Sequence, residues 1–191
     1  MIWYHFHWIH PPSTQARGSS WIPLNSTEMY PLFAPPMVSR IQQALKQRKP
    51  FASLRQEVMV SVARTSAVLS HSFEQALKAH GITPTQYNVL RILRGAGTDG
   101  LCRYEIGDRL ITPVPDVSRL LDRMAAAGLI LRERALTDRR LVVACITPKG
   151  LATLEALDLP SREIIDAQMK HMSDEQLLAL RDLLDLARNE G

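Results

Sequence analysis

Hydrophobic positions recur at helical spacing between Ser53 and His80, where Leu54, Val58, Val62, Leu69, Phe73 and Leu77 follow one another at mostly three- and four-residue intervals. Such spacing places them on one stripe of a long helix, and Gly81 is positioned to end it. In the next run, ITPTQYNVLRILRGAG, Thr83 stands at an N-cap, Pro84 at the first helical position and Gln86 three residues after the cap. That combination predicts a second helix opened by a capping box, with Tyr87, Leu90 and Leu93 facing inward.

Beyond Gly95, Gly97 and Gly100, Ile106 and Leu110 predict a short amphipathic helix of about two turns. The segment ITPVP then turns the chain into DVSRLLDRMAAAG. There Val117, Leu120, Leu121 and Met124 fall within about a 100° arc of a helix, which makes them its buried face. Pro115, Ser118, Arg119 and Asp122 lie opposite, with Asp116 and Arg123 at the edges. A short, polar, partly basic outer face suits a helix that enters a major groove; it also fits an ordinary solvated surface. Gly128 ends this helix, and two β-rich runs, LILRERA and RLVVACIT, flank LTDRR. The pattern is a hairpin with Asp138, Arg139 and Arg140 at its tip. Paired arginines on an exposed tip gain little from packing, whereas guanidinium groups match phosphates and the minor groove. Helix, helix, hairpin is the order of a winged helix.

Thr147 and Pro148 open a further helix, and the apolar pattern resumes after Pro160 through Ile164, Ile165 and Met169. Pro160 implies a break or kink between the two parts. Ser173 and Gln176 form another capping box. Behind it Leu177, Leu180, Leu184 and Ala187 make one stripe, which Leu178 and Leu183 widen beyond what one packing partner covers.

Composition narrows the classes. The 191 residues are 46% hydrophobic and 22% charged, as in an ordinary globular protein. No apolar run reaches bilayer length. The net charge of +4 and isoelectric point near 9.3 fit a nucleic-acid partner without requiring one. Cys102 and Cys145 lack paired spacing, so a reducing, cytoplasmic compartment is the simplest expectation. Cys102 opens the helix-turn-helix, where its thiol is either a redox sensor or inert; Cys145 reads as a small core residue. His71, His80 and His171 show no ligand spacing. No nucleophile motif, phosphate-cradling loop or metal-binding pattern occurs, so neither an enzyme nor a cofactor or metal is expected.

Residues 1–36 differ from the rest. They hold Trp3, Trp8 and Trp21, with Arg17 their only basic and Glu28 their only acidic residue. They lack the basic and apolar regions of a secretory signal. His5, His7 and His10 could form a metal cluster, but a disordered leader is the simpler reading. The regular helical sequence begins at Met37, which is expected to be the true start.

From the second helix through the wing, ITPTQYNVLRIL and DVSRLLDRMAAAGLILRERALTDRRLVVACITPKG resemble the MarR family of transcription regulators, over residues 51 to 190. Asp138 and Arg140 match that family's Asp-x-Arg wing motif. The resemblance implies a mainly α fold with a small β-hairpin wing, a winged helix-turn-helix flanked by N- and C-terminal dimerisation helices. The expected layout is a leader (1–36), an N-terminal extension (37–52) and the regulator domain (53–190). Within the domain the DNA-binding core spans about 83–147, and the dimerisation helices about 53–80 and 148–190. The resemblance further implies a homodimer held in part by Leu177, Leu180 and Leu184. It would bind double-stranded DNA at a palindromic operator, usually as a repressor, and be released by a small-molecule effector. Pro115, Asp116, Ser118, Arg119, Asp122, Arg123, Asp138, Arg139 and Arg140 are the candidate DNA-binding residues. Pro113 and Pro115, which bracket Val114, depart from the family's turn. Two alternatives stay open: a winged-helix protein-interaction module without DNA affinity, and a thiol-based regulator using Cys102.

Overall fold

The computed structural model describes residues 39–134 and 141–188. Its contacts divide the chain into two units, one ending at Val60 and the other starting at Ser61. In the first, helix α1 (Arg40–Ala44) occupies part of the expected extension. Ser39 Oγ accepts from the Gln42 N–H at 3.3 Å, and the Gln42 side chain donates to the Gln47 carbonyl at 3.3 Å. Helix α2 (Leu54–Ala79) begins in this unit with a box around Ser53. The Gln56 N–H donates to Ser53 Oγ at 3.2 Å, and Gln56 Oε1 accepts from the Ala52 N–H at 2.8 Å.

The second unit holds the rest of α2, then α3 (Pro84–Ala96), β1 (Leu101–Cys102), α4 (Arg103–Asp108) and α5 (Val117–Ala126). After these come β2 (Ile130–Arg134), β3 (Val142–Ile146), α6 (Pro148–Met169) and α7 (Asp174–Arg188). The strands form an antiparallel sheet ordered β1-β3-β2, with Leu101 opposite Ala144 and Ile130 opposite Ile146. This is the expected mainly helical winged helix-turn-helix. The predicted caps form: Thr83 and Gln86 exchange bonds of 2.9 and 3.2 Å, and Ser173 and Gln176 exchange bonds of 3.0 and 3.3 Å. Leu77, Leu90, Leu93, Ile106, Leu121, Met124, Leu154 and Leu157 are fully buried together. Burial of such a side chain stabilises by about 1.5–3 kcal/mol, so this cluster dominates the fold.

Three details differ from the sequence reading. Leu101 and Cys102 are a third strand, too short to leave a period-2 pattern. Cys145 is not a core residue: strand alternation turns Ala144 inward, and Cys145 is half-buried, its Sγ 3.7 Å from Glu133 Oε1. Burial, reinforced by the Glu133 carboxylate, pushes that thiol's pKa up. Third, α6 runs unbroken through Pro160. Proline deprives the Ala156 carbonyl of its helical donor, a cost of about 3 kcal/mol. Leu154 and Leu157, buried on the same helix, offset it. A paired bond from Arg94 to Asp158 at 2.8 and 3.0 Å further ties α3 to α6.

Gly150, one turn into α6, sets how closely this helix approaches β2. A Cβ there would lie 2.2 Å from the Leu129 carbonyl oxygen and 2.9 Å from Ile146 Cγ1. Gly→Ala inside a helix ordinarily gains up to about 1 kcal/mol; here the clash is with backbone and reverses the sign. Gly150→Ala is therefore expected to cost about 1–3 kcal/mol, seen as a lowered Tm by circular dichroism. An unchanged or raised Tm would contradict this packing.

Candidate nucleic-acid interface

Helix α5 is fixed at both ends. Asp116 caps its start, its Oδ1 accepting from the Arg119 N–H at 2.9 Å. At the other end Gly128 adopts φ +72°, a left-handed conformation that glycine takes without steric cost. The Leu129 N–H then reaches the Met124 carbonyl at 3.0 Å and the Gly128 N–H the Ala125 carbonyl at 2.9 Å, a Schellman closure. Residues at the start of α6 hold the same corner. Lys149 Nζ donates to the Ala127 carbonyl at 2.8 Å, and the Thr147 hydroxyl lies 2.8 Å from Gly128 O and 3.0 Å from Leu129 O. The α4–α5 turn is anchored as well, the Ile111 N–H donating to Asn88 Oδ1 at 2.9 Å.

Leu120, Leu121 and Met124 are buried as predicted, with Val117 packed partly against them. Pro115, Asp116, Arg119, Asp122 and Arg123 are exposed and Ser118 is half-buried. Their side chains are not equally available. Asp122 is ion-paired with Arg132 of β2, and Ser118 Oγ accepts from Arg103 Nη1 at 3.3 Å. Arg119 and Arg123 make no ion pair among the described residues. Asp138, Arg139 and Arg140 lie outside the described residues, as do His5, His7 and His10. Strand β2 ends at Arg134 and β3 begins at Val142.

Arg103 and Arg132 were not singled out in the sequence, because their partners come from elsewhere in the fold. Arg103 meets Ser118 fifteen residues away, and Arg132 meets Asp122 ten residues away. The one local hint is the alternation of Ile130, Arg132 and Arg134, which puts Arg132 on the inner sheet face, opposite Ala144. Cys102 precedes α4, half-buried, with its N–H donating to Glu105 Oε2 at 2.8 Å. That bond, with the further hydrogen bond from Cys102, lowers the pKa of Glu105.

Two cavities flank α3. The first, 470 Å³, is lined by residues including Phe73, Glu74, Tyr87, Asn88, Arg91 and Ile111. Phe73 and Tyr87 meet edge to face with centroids 5.1 Å apart, and Arg91 Nη1 donates to Tyr87 Oη at 3.2 Å. The second, 370 Å³, lies between α3 and α6 and includes Arg91, Arg94, Asp158, Ser161 and Arg162. Its hydrogen-bonded Arg94 guanidinium holds Asp158 below the usual carboxylate range, and the nearby Arg91 and Arg162 charges add to the effect.

The MarR family model matches residues 80–141. The crystal structure of a MarR transcription factor from Planctomyces limnophilus is 34% identical, covers 72% of this chain and 99% of its own, and superposes with a TM-score of 0.54. The HTH-type transcriptional regulator MhqR of Bacillus subtilis (strain 168) is 24% identical over 67% of this chain and 87% of its own length. The S. aureus MepR–DNA complex shares the fold with a TM-score of 0.61, at 23% identity over 68% of this chain and 95% of that one.

Because Asp116 supplies the side-chain N-cap of α5, Asp116→Ala should cost about 1 kcal/mol, while Asp116→Asn keeps most of the stability. Urea unfolding of the three proteins side by side measures this. Equal midpoints for Asp116→Ala and the parent would show the cap to be idle.

Proposed function

Because this chain belongs to the MarR family of winged helix-turn-helix transcription regulators, we propose that it is a cytoplasmic homodimer that represses transcription from a palindromic operator and is released by a small organic effector. The carrying observation is the outer face of α5, where Arg119 and Arg123 are exposed and make no ion pair among the described residues. Caps at both ends and a sheet behind hold that face. Arginine is the side chain most suited to the acceptor pair on guanine in the major groove. Pro115 and Asp116 border the same face, and Asp138, Arg139 and Arg140 would follow the backbone or the adjacent minor groove. On this reading the DNA-binding core is about 83–147, and MepR, solved on DNA, offers the precedent.

Dimerisation through 53–80 and 148–190 is supported by α7, which has no buried residue. Leu177 is only half-buried, Leu180 and Leu184 are exposed, and Leu183 and Leu186 are 64% and 76% exposed. Apolar surface of this kind marks an interaction site, and a two-fold dimer matches an operator of two inverted half-sites. The 470 Å³ cavity is the proposed effector site. It is lined by apolar rings and by Glu74, Asn88 and Arg91, and Asn88 also holds the turn before α5. An effector that distinguishes the two conformations by about 1–3 kcal/mol would change operator affinity roughly 5- to 150-fold.

Two experiments test this reading. Arg119→Ala should cost roughly 1–3 kcal/mol on the native operator and relax discrimination at one base step per half-site. Arg140→Ala should instead weaken all duplexes evenly and flatten the salt dependence. Competition titrations at fixed salt separate the two patterns, and the reverse assignment of losses would overturn the roles. Deletion of residues 173–191 should leave monomers or aggregates in light scattering; a soluble dimer of the shortened chain would refute the role given to α7.

A further inference from the structure

Arg103, the first residue of α4, bridges the two helices of the helix-turn-helix on their outer side. Its Nη1 donates to Ser118 Oγ on α5 at 3.3 Å, its Nη2 donates to the Tyr104 hydroxyl, and its guanidinium carbon sits 4.4 Å from the Tyr104 ring centroid. Stacking on an aromatic face fixes the plane of a guanidinium without neutralising it. Arg94, Arg132, Arg181 and Arg188 are each paired with a carboxylate. Arg103 makes no ion pair among the described residues, and its two hydrogen-bond partners are neutral hydroxyls.

Those three groups open into a 320 Å³ cleft. Cys102, Arg132, Leu141 and Val142 complete its lining, so no carboxylate faces it among the described residues. A hydroxyl that accepts a hydrogen bond still has its own proton to give. Ser118 and Tyr104, both accepting from Arg103, can thus each donate onward. One full positive charge and two hydroxyl donors converge on the same opening, beside the outer face of α5 and at the root of the wing.

We propose that Arg103, Tyr104 and Ser118 form a seat for one backbone phosphodiester of duplex DNA. This rests on the DNA-binding reading above and gives Ser118, a candidate DNA-binding residue, to the sugar-phosphate strand and not to a base edge. The seat reads no sequence; it fixes the register in which Arg119 and Arg123 meet the bases. Tyr104, 66% exposed, is a positioning residue for the guanidinium as well as a donor.

The test is fluorescence anisotropy with the full chain, using a labelled duplex from its own upstream region and a random duplex of equal length, over a range of KCl concentrations. Arg103→Gln should weaken binding to both duplexes by about tenfold per protomer near 0.1 M salt and lower the slope of log K against log salt by about one per protomer. Arg103→Lys should keep the slope while losing affinity. Ser118→Ala and Tyr104→Phe should cause smaller losses, equal on the two duplexes. All four exchanges are at accessible positions, and circular dichroism melting confirms that each variant is folded. An Arg103→Gln slope equal to the parent's overturns the seat while leaving DNA binding intact. A loss for Ser118→Ala confined to the upstream duplex would place Ser118 at a base edge and remove it from the seat. If the parent chain binds neither duplex, the DNA-binding reading fails and the seat fails with it.

Discussion

The corner at Thr147–Gly150 fixes where α5 can point. A helix that reads a groove must be held by something other than the groove, and here the hold is at its C-terminal end. Lys149 takes up the Ala127 carbonyl at the end of α5, and Thr147 meets those of Gly128 and Leu129 just beyond it. Thr147 also caps α6, its Oγ1 accepting from the Gly150 N–H at 3.1 Å. The end of one helix and the start of another therefore share a set of hydrogen bonds. Gly150 lets the two backbones come close enough to make them. The sheet follows from the same corner: β2 leaves it and β3 returns to it.

Electrostatics sorts the polar residues of α5 into those that hold and those that present. Asp116 caps the helix, and Asp122 meets Arg132 across to the sheet. Being more than half exposed, the Asp122 side chain contributes at most about 1 kcal/mol through this pair, so its value lies in orientation more than in stability. It also keeps a carboxylate from opposing phosphates, since its charge is already matched. Arg119 and Arg123 are left as the outward-facing charges.

Much of this was legible in the chain itself, for reasons that differ by element. Helices α3 and α7 were readable from local capping boxes, Thr83 with Gln86 and Ser173 with Gln176, and α5 from its apolar stripe; the cap that Asp116 forms on α5 was not read. Gly128 and the two β-rich runs located the wing. Features set by distant partners were not readable. The strand at Leu101–Cys102 exists because β3 lies beside it, and the inward turn of Ala144 in place of Cys145 is a matter of register. The part played by Arg103 depends on Ser118, brought near only when α4 and α5 fold against each other. Pro160 does not break α6 for the opposite reason: its local effect is unfavourable, but Leu154 and Leu157, buried on the neighbouring turns, offset it.

That proline also gives α6 a mechanical character. From Pro148 to Pro160 the helix is a rod of about 18 Å, joined at one end to the corner that holds α5. At its other end is the one turn from which a backbone hydrogen bond is already missing, so bending there breaks nothing further. A flexure of about 10° at Pro160 swings the first turn of the rod through roughly 3 Å. That displacement is close to the axial rise per base pair of duplex DNA, about 3.4 Å. A bend at Pro160 would therefore be felt at the corner that holds α5 as a displacement on the scale of one base-pair step.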